Sequence, residues 1–240
     1  MSVLVVTGTC TGVGKTIVTA ALAALAAARG TGVAVVKPGQ TGVGPDEPGD
    51  LDEVRRLAGI DDLHEFARFP DPLSPAAAAR RAGLPPPRLA DAADRIRDLS
   101  RSRGLVLVEG AGGLLVRYDD EGTTIADLAR WIGAPAVVVA RPGLGTLNHT
   151  ALTLEAMAHR GVQLAGVVLG EWPDEPGLAM RSNIRDLETI AARPLAGAMP
   201  AGAGALDPAE FLLAAHRALA PPFGGSFDPA AFRDAHGVLP

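Results

Sequence analysis

The stretch GTCTGVGKT, residues 8–16, places three glycines, three threonines and one lysine between an apolar run and an Ala-rich segment. Glycines at this spacing let the backbone curl so that successive N–H groups point inward at phosphate oxygens. The start of the following helix adds its positive dipole end. In such a loop Gly12, Val13, Gly14, Lys15, Thr16 and Ile17 surround a bound polyphosphate. Lys15 reaches the β and γ oxygens, and the Thr16 hydroxyl binds Mg²⁺. The spacing departs from the usual G-x-x-x-x-G-K-[ST]. Counting back from Gly14 reaches Thr9, and the nearest glycine is Gly8, so the loop is a longer variant.

A second ammonium group stands out by composition. The chain has 22 basic residues, and only Lys15 and Lys37 are lysine. Lysine is a compact, rotatable point charge whose pKa moves readily, whereas arginine is a planar fork. Lys37 ends the apolar run 33–37, just before a Pro-Gly turn. In an open α/β sheet the carboxyl ends of the strands form the ligand crevice. If this strand neighbours the first one, Lys15 and Lys37 converge, and the second cation stabilises charge on a transferring phosphoryl group. Glu109, in VEGAGG (108–113), ends another apolar run and is followed by a backbone open to close ligand approach, Gly112 included. A carboxylate there holds Mg²⁺ directly or through water. Asp50 is either a further Mg²⁺ ligand or only the N-cap of a helix over 51–58. Asp46, Glu47, Asp52 and Glu53 crowd the same region. The five histidines show no metal-ligand spacing.

These groups need a scaffold, and the pattern supplies one. Apolar runs at 3–7, 33–37, 105–109, 136–140 and 164–169 read as buried parallel strands. Helical periodicity falls between them at 16–29, 51–58, 89–102, 125–132, 149–160, 180–192 and 208–219. Strand and helix in alternation predict a single doubly wound, mainly parallel sheet flanked by helices, of the P-loop nucleotide-binding type. Segments 38–49 and 70–87 read as irregular, and residues 221–240 read as a loosely docked Pro/Gly-rich tail after a domain over 1–220. The chain is 48% hydrophobic and 4% aromatic, so Ala, Val, Leu and Gly must carry the core. A net charge of −5 without a basic block gives no support to nucleic-acid binding. One cysteine forbids an intrachain disulfide and fits a reducing cytoplasm. The opening MSVLVVTG has no basic run ahead of its apolar residues, so no signal peptide is expected, and no stretch is long enough to span a bilayer.

Taken together, GTCTGVGKT, KPGQTG, GDLDEV, VEGAGGLLV and GLGTLNHT, in this order and spacing, resemble the dethiobiotin synthetases over about residues 3–220. The resemblance implies an ATP-dependent ligase of biotin synthesis. It would join CO₂ to 7,8-diaminopelargonic acid through a carbamate and a carbamic–phosphoric anhydride, giving dethiobiotin, ADP and phosphate. On this pattern Lys37 stabilises the carbamate and phosphoryl charge, Lys15 neutralises the β/γ oxygens, and Thr16, Asp50 and Glu109 set Mg²⁺. Thr11 and Thr41 bond the carbamate and diamine end, with Gly112 close by. The resemblance further implies a homodimer with the diamine at the subunit interface. Leu144 and Asn148 of LGTLNH then reach its distal carboxylate; Asn148 is equally the N-cap of a helix over 149–160.

Two departures stand out against that pattern. Gly39 replaces a common Val in KPxQTG, which suggests a looser Lys37 loop. Gly170-Glu171 stands where many members carry an Asn that reads the adenine edge. Base holding then falls to groups near Gly170, Glu171, Pro200, Ala201 and Gly202, with relaxed nucleotide preference. Two other classes are weaker. A partitioning-type ATPase switch needs a signature lysine where Cys10 stands. A different P-loop ligase or kinase shares the loop, but an amidoligase adds a glutaminase cysteine that this chain lacks.

Overall fold

The computed structural model describes residues 3–238. In chain order the elements are β1 (Val3–Gly8), α1 (Lys15–Ala28), β2 (Val33–Lys37), β3 (Gln40–Thr41), α2 (Asp50–Ala58), β4 (Leu63–Glu65), β5 (Arg68–Phe69), α3 (Pro75–Ala82) and α4 (Leu89–Ser102). They continue with β6 (Leu105–Gly113), α5 (Ile125–Trp131), β7 (Ala136–Ala140), α6 (Thr146–His159), β8 (Leu164–Trp172), α7 (Leu178–Ala191), β9 (Gly197–Pro200), α8 (Pro208–Ala218) and α9 (Pro229–His236). Seven strands form one sheet in the order β4-β2-β6-β1-β7-β8-β9, and every pairing within it is parallel. This is the doubly wound sheet that the alternation predicts.

The central strands are apolar on both faces because both are covered. Val5, Val36, Val108 and Val138 face a core layer completed by Ile96 of α4, Leu128 of α5, Met157 of α6 and Leu187 of α7. Val6, Val35, Leu107 and Val137 face the other layer, completed by α1, by Val54 and Leu57 of α2 and by Phe211 of α8. Neighbouring residues of one strand therefore sit in different layers, as the two-residue repeat of a strand requires. Leucine, valine and alanine make up most of both layers, with a few aromatics such as Phe211 and Trp172 among them.

The strand order corrects one expectation. β2 does not lie beside β1; β6 is inserted between them. The two lysines still line one crevice, and Glu109, carried on that intervening strand, bonds Lys37 and Thr16 there. Segment 70–87 is likewise less irregular than its Pro content suggests. Pro75 sits in the first turn of α3, where a missing N–H costs nothing, and Gly83 closes the helix in a left-handed conformation.

The C-terminal stretch is docked rather than loose. Asp228 caps α9 through the N–H groups of Ala230 and Ala231. Phe232 meets Trp172 edge-on at 5.0 Å between ring centroids, and Phe227 is buried in the core layer below. Arg233 pairs with Glu188 of α7 at 2.6 Å. Aromatic contacts between distant segments are invisible to local composition, which is why the segment reads as a tail. Among the described residues, no helix is long and apolar enough to cross a membrane.

Candidate active site

The P-loop is built where β1 ends. Thr9 donates its N–H to the Val139 carbonyl of β7, and Gly14 caps α1 from a left-handed conformation with φ 93°. Only a residue without Cβ adopts that turn at low cost. Lys15 begins α1 and folds its ammonium back to the Cys10 carbonyl at 3.3 Å, over the loop. Burial lowers its pKa from the ordinary lysine value, and the neighbouring Lys37 charge lowers it further.

Lys37 is 2% exposed and Glu109 is fully buried. The Lys37 ammonium donates to Glu109 Oε1 at 2.7 Å and forms an ion pair with Asp50. Thr16 Oγ1 donates to the same Glu109 oxygen at 3.0 Å. Burial on its own pushes the Lys37 pKa down, but Glu109 and Asp50 together override it and hold the group well above its ordinary value. Burial would raise the Asp50 carboxyl; the Lys37 charge and hydrogen bond outweigh it and hold Asp50 below 3.8. Lys37 is therefore charged at neutral pH and is the cation that lets two carboxylates share one pocket.

Asp50 is not an N-cap. Gly49 takes that position and Asp50 is the first helical residue of α2. Its backbone N–H is received by Gln40 Oε1 at 3.0 Å, while Gln40 Nε2 donates to the Thr41 carbonyl. Gln40 thus aims the start of α2 at the lysine. Sequence reading passed over it, although it stands inside KPGQTG. The Gly39 backbone is buried, and a Cβ there would lie 3.2 Å from Pro87 and 3.5 Å from Tyr118. The glycine serves close packing, so the loop is not loosened by it. Tyr118, also unforeseen, is fully buried and its hydroxyl accepts the Ala111 N–H at 2.7 Å, fixing the backbone beyond Glu109.

These side chains line one crevice of about 900 Å³ at the carboxyl ends of the strands. It gathers Thr11, Gly12, Gly14, Lys15, Thr16 and Ile17 from the loop and α1. Lys37, Thr41, Asp50, Glu109 and Gly112 form its floor and one side, with Gly170, Glu171, Pro200 and Gly202 at the far end. Val13 is buried beneath the loop, and Ala201 is exposed off the crevice, its N–H bonded to the Trp172 carbonyl. Leu144 and Asn148 do not line it. Leu144 is 90% exposed, Gly145 rather than Asn148 caps α6, and Asn148 lies in that helix's first turn.

The donor set fits a hard divalent cation. Glu109 Oε2 is buried without a hydrogen-bond partner, and Asp50 and the Thr16 hydroxyl lie in the same cluster. Among the described residues no three His, Cys, Asp or Glu side chains converge. Two carboxylates and a hydroxyl, completed by water and phosphate oxygens, are the ligation Mg²⁺ favours.

A glycine-rich loop between a buried strand and a helix, with a lysine at the helix start and carboxylates on adjacent strand ends, defines a P-loop nucleotide-binding protein. A family model described as an AAA domain matches residues 2–206. The ATP-dependent dethiobiotin synthetase BioD of Parafrankia sp. (strain EAN1pec) is 65% identical over 238 residues, covering 99% of this chain and 100% of the relative. That of Streptomyces coelicolor is 56% identical over 237 residues, covering 99% and 100%. Among solved structures, the cell division ATPase MinD of Pyrococcus furiosus superposes with a TM-score of 0.52 at 20% identity, covering 83% of each chain. Chloroplast FtsY of Physcomitrella patens gives 0.53 at 19%, covering 89% of this chain and 64% of that one. Those two likenesses establish the fold. The sequence relatives go further: the chain belongs to the dethiobiotin synthetase family.

Lys37→Met leaves Asp50 and Glu109 facing each other without their cation, and breaking a buried pair this way costs about 3–5 kcal/mol. Urea denaturation of the ligand-free protein is expected to show a loss near the lower figure, since Asp50 is partly exposed. The wild type keeps the Asp50 contribution above 3.8 and loses it as pH falls through the depressed folded-state pKa. The variant is expected to behave oppositely and regain stability on mild acidification, as one carboxylate takes up a proton. An unchanged unfolding midpoint would show that the cluster contributes nothing.

Proposed function

We propose that the protein is an ATP-dependent dethiobiotin synthetase that uses Mg²⁺ and acts on 7,8-diaminopelargonic acid and CO₂. The observation that carries this reading is that two buried lysines line one P-loop crevice, Lys15 over the loop and Lys37 paired with Glu109 and Asp50. A partitioning-type switch carries its second lysine inside the loop, where this chain has Cys10, and not at the end of β2. A reaction that handles a carbamate and a γ-phosphate side by side has work for a second.

The steps follow from charge. One amine of the diamine adds to CO₂, loses a proton and becomes a carbamate anion. The Lys37 ammonium, set by β2 at the floor, holds this anion against the γ-phosphate. A carbamate oxygen attacks phosphorus, the bond to ADP breaks, and Lys15 receives the charge that develops on the β/γ oxygens. The second amine then attacks the carbonyl carbon and loses a proton to solvent, phosphate leaves with the anhydride oxygen, and the ureido ring closes. Thr11 and Thr41 line the crevice beside the loop and β3, which supports the reading that they bond the carbamate and diamine end. Fixing both reactants side by side removes much of the entropic part of the barrier.

Thr16, Asp50 and Glu109 are the residues that would hold Mg²⁺, which when bound neutralises phosphate charge. Lys37 already occupies the space between the two carboxylates. Its release from them, by rotation of a flexible stem, is what frees the ammonium for the carbamate. Lysine allows that movement and a planar guanidinium resists it.

We also propose that the enzyme works as a homodimer, with Leu144 and Asn148 of one protomer serving the diamine of its partner. The exposure of Leu144, Leu152 and Leu178 around α6 and the start of α7 supports an apolar face there. At the base end, Gly170 packs so tightly against the loop that a Cβ would lie 1.8 Å from the Val13 carbonyl. A side-chain amide has no room at that position. Backbone groups of Gly170, Pro200 and Gly202 and the Glu171 side chain remain to meet the base.

Two measurements check this reading. Phosphate release from Mg·ATP is expected to require both bicarbonate and the diamine, and Lys37→Arg is expected to keep nucleotide binding while losing most turnover. Release without the diamine, or only with glutamine, would overturn the assignment. In a competition among nucleoside triphosphates, ATP is expected to lead CTP, GTP and UTP by less than about 100-fold, or roughly 2.7 kcal/mol. A larger margin would contradict base contacts made without a side-chain amide.

A further inference from the structure

One guanidinium touches the phosphate loop without entering the crevice. Arg141 follows the last residue of β7, and its Nη2 donates to the Thr11 carbonyl at 3.1 Å and to the Gly12 carbonyl at 3.4 Å. The same nitrogen is the one side-chain atom that a Cβ on Gly12 would meet, at 3.2 Å. Gly12 itself has φ 68°, the left-handed conformation that turns the loop. The Arg141 side chain is exposed, is absent from the crevice lining and forms no ion pair among the described residues.

The turn that carries it is anchored from behind. Asn183 of α7 is 6% exposed, and its Nδ2 donates to the Pro142 carbonyl at 2.8 Å and the Gly143 carbonyl at 3.2 Å. β7 also holds the loop's first residue through the Thr9 N–H. The loop is therefore tied to one neighbouring strand end at its start, by backbone, and at its apex, by Arg141.

A phosphate-binding loop works only if its N–H groups face inward, which requires its carbonyls to face out. Outward carbonyls at an exposed apex otherwise have only water to hold them. We propose that Arg141 is a positioning residue that fixes the Thr11 and Gly12 carbonyls on the outer side of the loop, so that the loop is pre-formed for the polyphosphate. The group acts through the loop and not on the transferring phosphoryl. The same turn leads directly into Leu144 and α6, so it joins the phosphate loop to the segment assigned above to the diamine. This role rests on the nucleotide-binding reading of the loop, but its first consequence, loop order, is measurable without any ligand.

Arg141→Ala, Arg141→Lys and the control Arg101→Ala, on the exposed face of α4, are compared as full-length proteins. In ligand-free hydrogen exchange, Arg141→Ala is expected to speed exchange of the 9–14 amides, with Arg141→Lys between it and the wild type and Arg101→Ala unchanged. Calorimetric affinity for ADP and for a non-hydrolysable ATP analogue is expected to fall by a similar factor, about tenfold, or about 1.4 kcal/mol. KM for ATP is expected to rise in step while kcat at saturation stays within about twofold. Unchanged exchange of the loop amides would overturn the proposal. So would normal ADP affinity with a fall in kcat, which would place Arg141 on the reacting phosphoryl. If the wild type bound no nucleotide, the broader reading would fail, while the exchange data would still decide whether Arg141 orders the loop.

Discussion

Two carboxylates share a pocket at the sheet's carboxyl edge, and the Lys37 ammonium between them makes that arrangement tolerable. Glu109 is fully buried on the strand between β1 and β2. Asp50 is brought to it by the start of α2, which Gln40 holds in place. Glu109 has no bulk water to support its charge, and a second carboxylate beside it makes the burden worse. The cation pulls Asp50 toward ionisation and is itself held charged by the pair. The insertion of β6 between β1 and β2 is what makes this possible, since it puts Glu109 within reach of Lys37 and Thr16 at once.

The opposite end of the crevice is governed by packing rather than charge. Gly14 and Gly170 approach so closely that a Cβ on either would collide with the other segment's backbone. The phosphate loop is thus wedged against β8, while β7 secures it through the Thr9 amide and Arg141. Trp172, two residues beyond Gly170, receives the Ala201 N–H and is covered by Phe232. The Gly170 and Pro200 end of the crevice is connected in this way to the last helix of the chain.

Much of this was legible in the sequence, for identifiable reasons. Buried parallel strands are short unbroken apolar runs, so five of them could be read directly, and the glycine loop marks its own place between strand and helix. Lys15, Thr16, Lys37, Asp50 and Glu109 fall at strand ends or helix starts, where the fold rule already puts ligand sites. The order of strands in the sheet carries no local signal, so β6 between β1 and β2 could not be foreseen. Gln40 and Tyr118 act through hydrogen bonds to backbone groups of nearby turns and helix starts, and nothing in their neighbours announces that. α9 depends on contacts with Trp172 and Glu188, distant in sequence. Gly39 read as flexibility because a glycine in a loop and a glycine under a tyrosine look alike in one dimension.

The central claim is that one ammonium serves two roles: it joins Asp50 and Glu109, and it turns to the reacting groups when they bind. A crystal structure with Mg²⁺, a non-hydrolysable ATP analogue and the diamine tests this most directly. The account expects the metal on Thr16 and one or both carboxylates, with Lys37 Nζ moved off Glu109 and within hydrogen-bond reach of the γ-phosphate or the carbamate. Lys37 still bonded to both carboxylates, with the metal seated elsewhere, would contradict it.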